Sequence, residues 1–147
     1  MKRLGFQDEA SYVFPSNLFL PAACQGAVGI QVKRQKNEKL RELLQNINDK
    51  DTETSCLAER IVLQTINANC NSPISVYAKF ENDMIIIQCD FFNHAGEKIF
   101  SDQRVGAKKE SAELAQEMGE KILKTIGQET VDKLDVLEND FNYSPAY

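Results

Sequence analysis

The sequence predicts an α+β fold in which a three-stranded antiparallel sheet is covered on one face by helices. Short turn segments separate three consecutive β-rich runs, a pattern typical of an antiparallel meander, and these runs lie at 74–80, 84–92 and 98–105. Amphipathic helical patterns precede and follow the meander, at about 51–66 and 109–126. Helices with one apolar face pack on one face of such a sheet, so residues from about 48 onward are predicted to have their own core.

The elements before residue 48 need neighbours that this stretch does not supply. Short apolar runs at 12–14 and 18–20 are expected to be brief strands or parts of a larger sheet. The nearly continuous β-rich run at 27–32 is typical of a strand buried on both faces, and a helix is predicted from about Asn37 to 47. One strand and one helix cannot cover both faces of a strand, so we expect this segment to pack against other parts of a larger protein or a partner.

Local signals predict where the later elements begin and end. Asp51 or Thr52 is expected to cap the helix at 51–66, and the asparagines within 67–69 are expected to end it. The other predicted boundaries are turns at 82–83 and 93–96, a C-cap at Gly127, a short helix at 129–137 and a fraying tail at 138–147.

Charge and composition exclude several classes of function. The 147 residues carry a formal net charge of -5, whereas nucleic-acid binding depends on clustered lysine and arginine. No apolar run is long enough to span a bilayer and the first residues lack a secretion signal, so we expect a cytoplasmic protein with reduced thiols and no membrane partner. The four cysteines and the single His94 do not have the spacing of a compact metal site, so no metal is expected.

Cys70 is the candidate functional residue. It lies in a polar segment between a helical pattern and a strand pattern, where a thiol is partly exposed and can act as a nucleophile or covalent anchor. The alternative is a small buried residue, which is common for a free cysteine. Cys24, Cys56 and Cys89 are expected to have that packing role.

Four segments resemble the C-terminal part of the porphobilinogen deaminase (hydroxymethylbilane synthase) family. They are Arg-Leu-Gly at 3–5, Pro-Ala-Ala-Cys-Gln-Gly-Ala-Val-Gly-Ile at 21–30, Ala-Glu-Arg at 58–60 and Asn-Cys-Asn-Ser-Pro-Ile at 69–74. They follow the family's order and spacing. The chain departs from the family pattern at Cys24, which stands at a common glycine, at Ala68 and Asn69, where two glycines are usual, and at Asn71, which replaces glutamine.

The resemblance implies roles for individual residues. Cys70 would carry the dipyrromethane cofactor through a thioether, and Gln25 and Gly26 would be cofactor-binding residues of a hinge beside it. The alternative is that Gln25 and Gly26 only shape a crossing of the chain. Arg60 would contact the cofactor, although from sequence alone it is as readily paired with Glu59 or Glu53, or simply exposed. No metal and no catalytic residue is implied.

The resemblance also implies a division of the chain. Residues 1–47 would be a remnant of the family's second and first domains, with a hinge at about 21–26, and residues 48–147 would be the C-terminal cofactor-carrying domain. The catalytic aspartate and most substrate-binding arginines would belong to the family's N-terminal portion, so the isolated chain is expected to lack both activity and cofactor.

The implied function is that of a transferase in tetrapyrrole (heme) biosynthesis, which condenses four porphobilinogen molecules into hydroxymethylbilane with release of ammonia. Expected partners are porphobilinogen and either the complementary N-terminal portion or a second copy of the chain. The alternative is a non-catalytic α+β remnant that acts as a binding or interaction domain.

Overall fold

Three strands form one antiparallel sheet in the order of the chain: β1 (Ile74–Glu81), β2 (Met84–Phe92) and β3 (Lys98–Ala107). The computed structural model describes residues 2–33 and 38–134. Each strand pairs with the next, from Ile74 opposite Phe91 in the first hairpin to Met84 opposite Ala107 in the second. The predicted meander is confirmed.

The hairpin turns follow from the residues at their tips. Asn82 and Asp83 both adopt positive φ, at 49° and 64°, as the central residues of a tight two-residue turn require. The second turn closes when the Gly96 N–H donates to the Asn93 carbonyl, and Gly96 itself has a φ of 79°. Short-range chemistry therefore sets the register of both hairpins.

Four α-helices accompany the sheet: α1 (Glu38–Ile47), α2 (Lys50–Thr65), α3 (Ser111–Ile126) and α4 (Gln128–Leu134). A 3-10 turn at Lys108–Glu110 leads into α3, and Gly127 ends it with a φ of 80°, as predicted. The predicted cap of α2 is wrong: Asp49 is the N-cap and accepts the Thr52 N–H at 2.8 Å. The helix begins one residue before Asp51, which places Thr52 in the position that donates to a cap.

The core lies between the sheet and helices α2 and α3. Every second residue of β2 from Ile85 to Phe91 is buried against these helices, as the period of a strand predicts. The two helices cross closely at Gly119, where an added Cβ would lie 2.5 Å from the Thr65 Cβ. The predicted α+β layering, with helices on one face, is therefore confirmed.

The predicted strand at 27–32 does not form within the described chain, because residues 27–33 have no regular element. Val28 is 91% exposed and Ile30 is 60% exposed, so the apolar side chains that a two-sided strand would bury face solvent. A strand is held by hydrogen bonds to a neighbour, and within the described residues this segment has none beside it.

The rest of the first 33 residues is likewise without strands. The runs at 12–14 and 18–20 are irregular or turn, and the regular elements of this part are two 3-10 helices, at Lys2–Leu4 and Gln7–Glu9. The Phe14 ring contacts the rings of Tyr12 and Phe19, and all three side chains remain mostly exposed. Leu20 alone is buried among the described residues of this part.

The last predicted elements are partly outside the described residues. Helix α4 ends the described part at Leu134, so the remainder of the predicted helix at 129–137 and the tail at 138–147 lie outside it. Asn37, the predicted start of α1, also lies outside it. Within the described residues, 2–33 and 38–134, no helix has the length and apolar character needed to cross a bilayer.

Candidate cofactor-attachment site

The segment that carries Cys70 begins where α2 ends. Asn67 takes a left-handed conformation with a φ of 56°. Its N–H donates to the Gln64 carbonyl at 3.1 Å, and the Ala68 N–H donates to the Leu63 carbonyl at 2.9 Å. This pair of bonds is the usual way of closing a helix on a left-handed residue, and it directs the chain away from the helix axis.

Polar side chains hold the turn at 69–72. The Asn69 N–H donates to the Ser72 hydroxyl at 2.8 Å, and the Asn71 N–H donates to the Asn69 side-chain oxygen at 2.8 Å. The Ser72 N–H donates a hydrogen bond to the Asn69 carbonyl at 3.2 Å. The turn is therefore closed by its own residues, and the Cys70 side chain is left exposed beside it.

The Cys70 thiol lies in a polar setting open to solvent. Its Sγ is 3.8 Å from the Asn71 Oδ1, the distance of a weak S–H···O contact. An exposed sulfur on a fixed turn can reach an electrophile without any movement of the core. The predicted exposure of Cys70 is confirmed.

Ala68 and Asn69, which precede Cys70, do not adopt a conformation that requires glycine. The left-handed position of this turn is Asn67, and neither Ala68 nor Asn69 is among the described residues with positive φ. Asparagine adopts the left-handed conformation more easily than other residues that carry a Cβ. The substitutions at Ala68 and Asn69 are therefore compatible with a closed turn.

Glu59 is the polar residue that sequence reasoning missed. It is buried on α2, where its Oε1 accepts the Ala78 N–H at 2.7 Å and its Oε2 accepts the Cys24 N–H at 2.6 Å. Burial raises the pKa of Glu59, and the two N–H bonds offset only part of that effect. One signal in the sequence was available: Glu59 lies between Ala58 and Val62 on the apolar face of α2, where a charge requires partners.

The turn at 23–26 brings Gln25 and Gly26 next to α2 through Cys24. Cys24 has a φ of 59° and Gly26 a φ of 87°, so two of the four residues are left-handed. The Gln25 Oε1 accepts the Ala22 N–H at 3.1 Å, while the side chain stays exposed. Gln25 therefore shapes the turn, and the Glu59 carboxylate ties that turn to the domain.

Arg60 lines a groove of about 640 Å³, which is bounded by residues 27–32, α1 and the first half of α2. Arg41, Cys24 and Cys56 also line this groove. Arg60 makes no ion pair with any described residue, so the pairing with Glu59 or Glu53 does not form. Cys70, Gln25 and Gly26 are not part of the groove lining.

The other cysteines are less accessible than Cys70. Cys89 is fully buried in β2, and desolvation raises its pKa strongly. Cys24 is half-buried, and burial together with Cys56 and Glu59 raises its pKa to about 11. Cys56 is also half-buried, with its backbone carbonyl 3.6 Å from the Cys24 Sγ.

These environments predict an order of thiol reactivity. A thiol-specific alkylating reagent is expected to label Cys70 first, Cys24 and Cys56 more slowly, and Cys89 only after unfolding, because labelling requires an accessible thiolate. Peptide mapping by mass spectrometry at successive times gives the four rates. The unfolded protein is the control, since all four sites should then react at similar rates. Equal rates for Cys70 and Cys89 in the folded protein would contradict the exposed turn.

Comparison with known proteins identifies what the chain is similar to. Residues 53–124 match the family model described as porphobilinogen deaminase, C-terminal domain. The porphobilinogen deaminase of Prochlorococcus marinus (strain AS9601) is 31% identical over 134 residues, which are 91% of this chain and 42% of that protein. That of Chlorobium phaeobacteroides is 31% identical over 132 residues, 90% of this chain and 42% of that protein. The chain thus spans about two fifths of the length of these curated relatives.

Proposed function

Because the chain belongs to the porphobilinogen deaminase family and matches its C-terminal portion, we propose that it is the cofactor-carrying part of a hydroxymethylbilane synthase. The observation that carries this proposal is the exposed Cys70 thiol on a turn closed by its own polar residues. Such an enzyme condenses four porphobilinogen molecules into hydroxymethylbilane with release of ammonia, as a transferase of tetrapyrrole biosynthesis.

The Cys70 turn fits a covalent cofactor. A thioether needs a sulfur that is accessible to an electrophilic carbon and a backbone that does not have to move, and both conditions are met at Cys70. When bound there, dipyrromethane supplies the primer to which further pyrrole units are added. Cys70 would hold that primer, while the hydrogen bonds that the N–H groups of Asn69, Asn71 and Ser72 donate within the turn fix the backbone that carries the sulfur.

Arg60 is proposed to contact the carboxylates of the cofactor or of the growing chain. Its guanidinium is exposed and has no ion-pair partner among the described residues, so it can bind a carboxylate through two parallel hydrogen bonds. Gln25 and Gly26 are proposed to act as the hinge at about 21–26. The bond from the Cys24 N–H to the Glu59 carboxylate anchors that hinge to the cofactor-carrying domain.

The proposed division into 1–47 and 48–147 rests on which apolar side chains are buried and which are exposed. The core is built almost wholly from residues after 57, whereas Val28, Ile30, Leu43 and Ile47 are exposed. We propose that the family's complementary N-terminal portion covers these side chains and pairs with residues 27–32 as a strand. The same portion would supply the catalytic aspartate and most substrate-binding arginines.

Complementation tests this function. The purified chain is expected to form no hydroxymethylbilane from porphobilinogen, whereas co-expression with the N-terminal three fifths of the Prochlorococcus marinus relative is expected to give an active complex. The N-terminal piece without this chain is the control. Product formation by the chain alone would contradict the division of labour.

The alternative is a non-catalytic α+β remnant that binds a partner, and the exposed apolar side chains of 27–32 and α1 are the observation that favours it. A stable complex with the N-terminal piece that forms neither product nor adduct would support this alternative.

A further inference from the structure

Three potential metal ligands meet where the turn at 23–26 contacts α2. The Cys24 Sγ, the Cys56 Sγ and a carboxylate oxygen of Glu59 all lie within 4.8 Å of one another. Cys56 and Glu59 are three residues apart and therefore face the same side of the helix. Cys24 reaches them from a turn more than 30 residues earlier in the chain. The juxtaposition is tertiary, which is why the spacing of the cysteines did not reveal it.

We propose that Cys24, Cys56 and Glu59 form a binding site for a thiophilic divalent cation of the Zn²⁺ type, with a fourth position open to water. Zn²⁺ takes thiolate sulfur at about 2.3 Å and carboxylate oxygen at about 2.0–2.2 Å, so tetrahedral ligand atoms lie less than about 4 Å apart. The observed spacing within 4.8 Å needs a side-chain adjustment of about 1 Å or less to reach that geometry.

The surroundings of the three ligands suit a bound cation. The Glu59 carboxylate is already oriented by the N–H groups of Ala78 and Cys24, and such bonds to a metal ligand fix its direction. With a divalent cation, two thiolates and one carboxylate leave a charge of -1, and the guanidinium of Arg60, which lines the same groove as Cys24 and Cys56, would offset that charge. The groove of about 640 Å³ that Cys24 and Cys56 line gives the cation a path from solvent.

Binding exchanges protons for the metal. Each thiol releases one proton to solvent as its sulfur binds, and the Cys24 thiol gives up its contact with the Cys56 carbonyl. The bound metal would connect the turn at 23–26 to α2 and so restrain the segment that follows it.

Zn²⁺ titration of the chelator-treated full chain, kept reduced, tests the site. We expect one Zn²⁺ per chain in competition with a chelating dye, and Co²⁺ should give the near-ultraviolet charge-transfer absorption of a thiolate-bound ion. Cys24→Gly is expected to weaken Zn²⁺ binding at least about 100-fold, since it removes a direct ligand. This variant keeps the fold, because glycine adopts the φ of 59° at position 24 more easily than cysteine.

The matched control is Cys70→Ser, which removes an exposed thiol outside the cluster and should leave Zn²⁺ affinity unchanged. Three results would overturn the proposal: no stoichiometric binding, undiminished binding by Cys24→Gly, or loss of binding in Cys70→Ser.

Discussion

Replacing Glu59 with alanine is expected to lower the free energy of unfolding by about 2–5 kcal/mol. The Glu59 carboxylate accepts the N–H of Ala78 in β1 and the N–H of Cys24 in the preceding turn. Alanine leaves both donors without a partner: the buried Ala78 N–H costs about 1–3 kcal/mol, and the half-buried Cys24 N–H adds a smaller penalty. The loss is large beside the roughly 5–15 kcal/mol that stabilises an ordinary domain.

Chemical denaturation of the two proteins measures this difference. Glu120→Ala is the matched control, because Glu120 is an exposed carboxylate within α3 that bonds only to the exposed Gln116 side chain. The control should change stability by less than about 0.5 kcal/mol. If Glu59→Ala costs no more than Glu120→Ala, the carboxylate does not hold the turn at 23–26 to the domain.

Replacing Cys70 with serine is expected to abolish hydroxymethylbilane formation by the complemented protein while leaving the fold intact. A serine hydroxyl is far less nucleophilic than a thiolate at neutral pH, so the covalent anchor is lost. The side chain is exposed and its main contact is a weak one with Asn71, so the free energy of unfolding should change by less than about 0.5 kcal/mol.

Activity and denaturation measured on the same preparations separate the chemical effect from the structural one. Cys56→Ser, assayed with a metal chelator present so that a bound cation plays no part, is the control, since it changes one thiol on α2 and leaves the Cys70 turn untouched. Activity retained by Cys70→Ser would contradict the assignment of the anchor.

The sheet and its two main helices could be predicted because their determinants are local. Asn82 and Asp83 close one hairpin through their own left-handed conformations, and Asn67 ends α2 in the same way. The exposure of Cys70 followed from its position between two elements, because residues that join a helix to a strand run over the surface.

The features that could not be predicted depend on contacts between distant parts of the chain. Glu59 bonds to Cys24 over 35 positions and to Ala78 over 19, and no periodicity encodes such a pairing. The strand expected at 27–32 does not form because a contact that it needs is missing from the described residues. Its pattern is typical of a buried strand, but a strand also needs a neighbour, and the described residues provide none for it.

The most direct test of the central claim is the mass of the complemented protein, followed by peptide mapping. We expect the C-terminal chain to carry an added dipyrromethane, and the peptide that contains Cys70 to carry the whole of that addition through a thioether. The Cys70→Ser chain from the same preparation should have its unmodified mass. A pyrrole adduct that persists on Cys70→Ser, or that maps to Cys24, Cys56 or Cys89, would contradict the account.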